Sequence, residues 1–91
     1  MILGLVGKTL ENKLNAAFSP ISLQVIDESS QHHGHAGARL DGESHFRVKI
    51  VAAAFQGKSR VEQHRMINHV LAAELKERVH ALAIEAAAPK T

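Results

Sequence analysis

A chain of 91 residues has the length of one domain and can bury one modest core. It has no cysteine, which excludes disulfides, thiolate chemistry and Cys-ligated zinc or iron–sulfur sites built by this chain alone. A net charge of +2 without any run of basic residues is too weak a field to argue nucleic-acid binding by itself, and three Phe with no Trp or Tyr leave core packing to Leu, Ile, Val and Ala.

The opening stretch, MILGLVGKTLENKL, lacks the charged n-region and small-residue cleavage site of a signal peptide. No apolar run approaches the ~18–20 residues of a membrane span. A soluble, cytoplasmic protein with no membrane partner is expected. From about Ile2 to Phe18 the chain reads as an amphipathic helix: Leu3, Val6, Leu10, Leu14 and Ala17 recur at helical spacing, and Lys8, Glu11, Asn12 and Asn15 take the other side. Gly4 and Gly7 weaken its first turns. Ser19-Pro20 ends it, because the residue before proline avoids the helical region.

Ile21 to Ile26 follows as a half-buried strand, with Ile21, Leu23 and Val25 on one face and Ser22 and Gln24 on the other. Asp27–Phe46, DESSQHHGHAGARLDGESHF, then holds four of the chain's seven histidines (His32, His33, His35 and His45) and almost nothing apolar. Loops longer than ~12 residues with no structure of their own tend to be functional or disordered.

From His45 to about Ala53 a second strand is expected, with Phe46, Val48 and Ile50 facing in and His45, Arg47 and Lys49 facing out. It pairs antiparallel with the first, making the loop an oversized hairpin connection. Phe55-Gln56-Gly57-Lys58 is a turn, and Ser59-Arg60-Val61-Glu62 matches the capping box that opens a helix. That helix is expected to reach about Arg78, with Val61, His64, Ile67, Val70, Leu71 and Leu75 as its inner stripe and Glu74 four residues before Arg78 in the favoured ion-pair order. Val79 to Glu85 is a third strand, and Ala86–Thr91 reads as a frayed tail with a trace of helix. No internal repeat or domain boundary is visible, so 1–91 is expected to form a single domain.

The order α-β-β-α-β predicts an α+β two-layer sandwich: a three-stranded mixed sheet with both helices on one face. Strand two, helix and strand three form a βαβ unit. If the two strands share one sheet and run parallel, the crossover is right-handed, whereas an antiparallel third strand would put His80 at the far edge. Parallel strands start at the same edge of a sheet, so His80 should lie at the rim where the histidine loop ends.

His32, His33, His35 and His80 are candidate metal ligands, since neutral imidazole is the commonest protein ligand for transition metals. The plain alternative is that the loop histidines are solvated polar residues that pick up metal adventitiously. His64, on the inner stripe, reads as a hydrogen-bonded, half-buried histidine, and His45 and His69 as structural or surface residues. Gly-x-x-Gly occurs twice, at Gly4–Gly7 and Gly34–Gly37, but neither copy lies between two helices as nucleic-acid clamping requires. No Ser/His/Asp arrangement or carboxylate pair suggests catalysis, so no enzyme and no small-molecule substrate are expected.

Several stretches together resemble the BolA family: Asp27-Glu28-Ser29, Gly42-Glu43-Ser44-His45-Phe46, Phe55-Gln56-Gly57, His64-Arg65-Met66-Ile67, Leu71–Glu74–Leu75 and Val79-His80-Ala81-Leu82. The resemblance runs from the first helix to Ile84. It implies a fold like the class II KH domain and a monothiol, CGFS-type glutaredoxin as partner. It also implies a 2Fe–2S cluster bridged between the two proteins, with sulfur ligands from the glutaredoxin cysteine and glutathione, and none bound by the isolated chain. On this chain's side it implies His80 as one ligand and a loop histidine, His32 or alternatively His35, as the other. Two imidazoles on one iron would resemble Rieske ligation and raise the reduction potential. Partner contacts are implied for His64, Arg65 and Arg78, with Lys76 nearby. The family pattern often has Arg-His-Arg-Met where this chain has Gln63, which weakens any contact that arginine makes to an acidic partner or nucleic acid. The function implied is a non-enzymatic adaptor in iron–sulfur assembly, trafficking or iron sensing. The alternative is a DNA-binding transcriptional regulator, and a third possibility is an apo protein that binds its partner without a cluster.

Overall fold

Helix α1 (Leu5–Phe18) buries Val6, Gly7, Leu10 and Leu14 along one stripe, as its apolar spacing requires. The computed structural model describes residues 4–28 and 45–90. The helix ends at Ser19, held in the left-handed region (φ 45°, ψ 55°) with its N–H donating to the Asn15 carbonyl at 3.0 Å. Pro20, which cannot continue a helix, follows.

Strands β1 (Ser22–Asp27) and β2 (His45–Val51) pair antiparallel, from Ser22 opposite Val51 to Asp27 opposite Phe46. A single 3-10 turn, Ala53–Phe55, and Gly57 at φ 75° swing the chain back. Helix α2 (Arg60–Val70) opens on the expected capping box, with the Ser59 hydroxyl accepting from the Glu62 N–H and the Glu62 carboxylate from the Ser59 N–H. The helix does not run unbroken to Arg78. At Leu71 (φ −99°, ψ 15°) it bends, and α3 (Ala72–Glu77) continues beyond. Leu71 is fully buried at the bend, and the bonds Leu71 N–H to Ile67 and Leu75 N–H to Leu71, both 3.0 Å, carry the ladder across it.

Strand β3 (Ala81–Ala87) runs parallel to β2, from His45 opposite Ala81 to Val51 opposite Ala87, giving the order β1-β2-β3. The architecture is the expected α+β one, a mixed three-stranded sheet with helices. The C-terminal reading needs correction: Ala86 and Ala87 lie inside β3, and Ala86 and Ala88 pack against the core. Small side chains with no polar pattern look like a tail, but the backbone bonding of an edge strand needs no large side chain.

Phe46, Val48 and Ile50 of the central strand meet Leu10 and Leu14 of α1 and Ile67 and Leu71 below α2 in one core. Phe55 is fully buried, with Phe18 against it at a centroid separation of 5.0 Å. Three residues expected on apolar faces lie outside it, among them Ala17, which is exposed at the end of α1. Val61 is 57% exposed because the whole run Gln56–Glu62 stands in solvent, and Ile21, just ahead of β1, is 69% exposed. Glu74 salt-bridges to Lys13 of α1 (Nζ to Oε2, 2.8 Å), an ion pair between helices that replaces the one expected along the helix with Arg78.

Candidate functional site at the sheet rim

The parallel pairing of β2 and β3 brings their first residues to one edge of the sheet. His45 opens β2, Ala81 opens β3 beside it, and His80 precedes Ala81. The imidazoles of His45 and His80 face each other with centroids 5.2 Å apart and planes tilted by 52°. Glu28, which follows β1, donates its N–H to the His45 carbonyl at 2.8 Å. Glu28 and His45, the described residues on either side of 29–44, therefore lie together at this rim with His80.

His80 is exposed. His45 is not: alternation along β2 puts it on the solvent face with Arg47 and Lys49, but it is only 9% exposed. It keeps its outward side but is covered there, so of the two expected readings, structural or surface, the structural one holds. A period-two pattern separates the two faces of a strand, yet it says nothing of what covers a face at the strand's end.

Two residues along, Arg47 braces the same face. Its Nε donates to Glu28 Oε2 at 2.8 Å and its Nη1 to Glu85 Oε2 at 2.9 Å, so one guanidinium on β2 joins the residue that follows β1 to β3. These hydrogen bonds, that to Glu28 first, raise the arginine pKa above its ordinary value and keep it charged. Arg47 was expected to face out, but only the register shows that it meets Glu28 and Glu85.

The other sequence candidates are spread out. His64 is half-buried, as expected, and lines a cavity of about 400 Å³ with Arg60, Lys49, Ile84, Glu85 and Ala86. That cavity includes Ala87 at the finish of β3, a strand length of roughly 20 Å from its His80 end. His64 and His80 therefore do not share a site. Arg65 is exposed on α2, and Arg78 is exposed two residues before His80, where its N–H and that of Val79 both donate to the Glu74 carbonyl at 2.8 Å. His32, His33 and His35 lie outside the described residues. Among those described, no group of three or more His, Asp or Glu side chains could hold a metal, and no helix is long and apolar enough to cross a membrane.

The donor chemistry at the rim fits part of a ligand set and not a whole one. His80 presents an imidazole at the surface, and a chain without cysteine has no thiolate to set beside it.

Comparison with known proteins agrees with this architecture. Residues 14–91 match the family BolA, described as BolA-like protein. The chain is 47% identical over 91 residues to SufE-like protein 1 of Arabidopsis thaliana, aligning 96% of itself with 24% of that longer protein. It is 45% identical over 80 residues to the DNA-binding transcriptional regulator BolA of Escherichia coli K12, covering 88% of this chain and 72% of the relative. The solved BolA domain of SufE1 from Arabidopsis thaliana superposes with a TM-score of 0.88 at 46% identity, covering 97% of this chain and 96% of that one.

Proposed function

Since this chain belongs to the BolA family, we propose that it is a non-enzymatic adaptor in iron–sulfur handling, partnered by a monothiol CGFS glutaredoxin. In this reading His80 and one loop histidine, His32 or His35, lend nitrogen ligands to a 2Fe–2S cluster lying between the two proteins. The glutaredoxin cysteine and glutathione supply the sulfur. When bound, such a cluster supplies one-electron redox chemistry and a unit that can be passed on. Everything required of this chain is presentation: a neutral imidazole at the surface, next to the two ends of the loop, on a backbone fixed by strand pairing.

One observation carries the reading: His80 is exposed at the rim where β2 begins, beside the hydrogen-bonded pair Glu28–His45 from which the loop departs. Arg78, exposed two residues away, gives the same rim a cation for a partner's acidic groups. The test is to mix the chain with cluster-loaded CGFS glutaredoxin and record visible absorption and circular dichroism. A new spectrum should appear with the wild type and be lost with His80→Ala. A spectrum that survives in His80→Ala removes His80 from the site.

A second reading, DNA-binding transcriptional regulation, is favoured by the likeness to the Escherichia coli DNA-binding transcriptional regulator BolA. A gel shift across a salt series decides it, because specific binding survives physiological salt whereas loose basic attraction fades steeply.

A further inference from the structure

His45 has no part in the ligand set just described, yet its ring is the one packed against His80. We propose that His45 is a positioning residue for His80, its buried ring holding the exposed imidazole in one rotamer before any ligand arrives. The proposal rests on the reading of His80 as the imidazole that faces the cluster.

Three observations carry it. First, His45 is fixed where His80 is not. It sits within a strand bonded on both sides, with its carbonyl accepting from Glu28 and its position in register with Ala81, the residue that follows His80. Second, His45 is 9% exposed, so its ring is confined while that of His80 stands in solvent. Third, a 5.2 Å centroid separation at a 52° tilt is within the range at which aromatic rings pack favourably. An exposed histidine otherwise samples several staggered rotamers, and a ligand must select one of them. Holding the ring beforehand removes that cost, which corresponds to about a 2- to 10-fold gain in affinity per immobilised side chain.

The substitutions that separate positioning from ligation are His45→Phe, which keeps a ring and has no donor nitrogen, and His45→Ala, which removes the ring. His45→Leu fills the space without an aromatic face and serves if the alanine variant fails to fold. In the apo chain, three-bond couplings report the His80 χ1 rotamer. Wild type and His45→Phe should show one rotamer, and His45→Ala or His45→Leu should show averaged couplings with the backbone amide spectrum otherwise intact. Titration with cluster-loaded glutaredoxin should then be near wild type for His45→Phe and about 2- to 10-fold weaker for the variants without a ring. Unaveraged couplings in the ringless variants overturn the proposal. So does loss of the cluster spectrum in His45→Phe as complete as in His80→Ala, which would make His45 a ligand. Because the couplings are read without any cluster, they judge the ring pair even if His80→Ala sinks the proposed function.

Discussion

Arg47 and Glu28 meet on the solvent face of the sheet, with Nε 2.8 Å from Oε2, at the point where the chain leaves β1 for the histidine-rich segment. The same guanidinium reaches Glu85 on β3 at 2.9 Å. The residue that follows β1 and the edge strand β3 are thus tied to the central strand through one side chain. Replacing Arg47 with Met, which keeps the stem and removes the fork, should lower the melting temperature slightly and speed amide exchange at Glu28. Exposed ion pairs are screened by salt, so the difference in melting temperature should shrink in about 1 M NaCl. A difference that persists there would assign the effect to packing of the stem.

The capping box gives a pH-dependent prediction. Hydrogen bonds from Ser59, the backbone N–H first, hold the Glu62 carboxyl below its ordinary pKa. A group whose pKa is depressed on folding adds stability above its unfolded value and loses it as pH falls. The stability difference between wild type and Glu62→Gln should therefore be constant at neutral pH and vanish progressively below about pH 4.3. Ser59→Ala removes the other half of the box and should cost about 1 kcal/mol in denaturant unfolding.

Helix α2 separates two residues that the sequence stripe treats alike. Ile67 is fully buried, so Ile67→Ala should cost about 2–5 kcal/mol by loss of apolar contact and the cavity left behind. Val61 is largely exposed, and Val61→Ala should lie within about 0.5 kcal/mol of wild type. Equal losses at the two positions in urea unfolding would place Val61 in the core.

Lys13 and Glu74 join the helical layer across α1 and α3. A double-mutant cycle on this pair should return a coupling of about 0.5–1 kcal/mol, as for a well-formed pair near the surface. The same cycle on Glu74 and Arg78 should return nothing measurable.

Ser19 occupies a left-handed conformation that a side chain disfavours. Ser19→Gly should raise stability by about 0.5–1 kcal/mol, because glycine is at ease in that region. A loss of stability would mean that the serine side chain contributes more than the strain it bears.

How much of this protein was legible in its residues divides along local and non-local lines. The capping box, the Ser19-Pro20 stop, the alternation of Phe46, Val48 and Ile50 and the α-β-β-α-β order were readable because each depends on neighbours a few residues apart. The arrival of His80 at the rim of β2 followed from that order only on condition that β3 runs parallel to β2, and the observed register meets that condition. What only the tertiary structure decided were contacts between residues far apart in the chain. His45 is buried despite its outward position, Val61 is exposed despite its apolar one, and Glu74 answers to Lys13 sixty-one residues away and not to Arg78 next door. The Arg47 clasp belongs with these. Periodicity reports which face a side chain is on, and it carries no information about what the rest of the chain lays over that face.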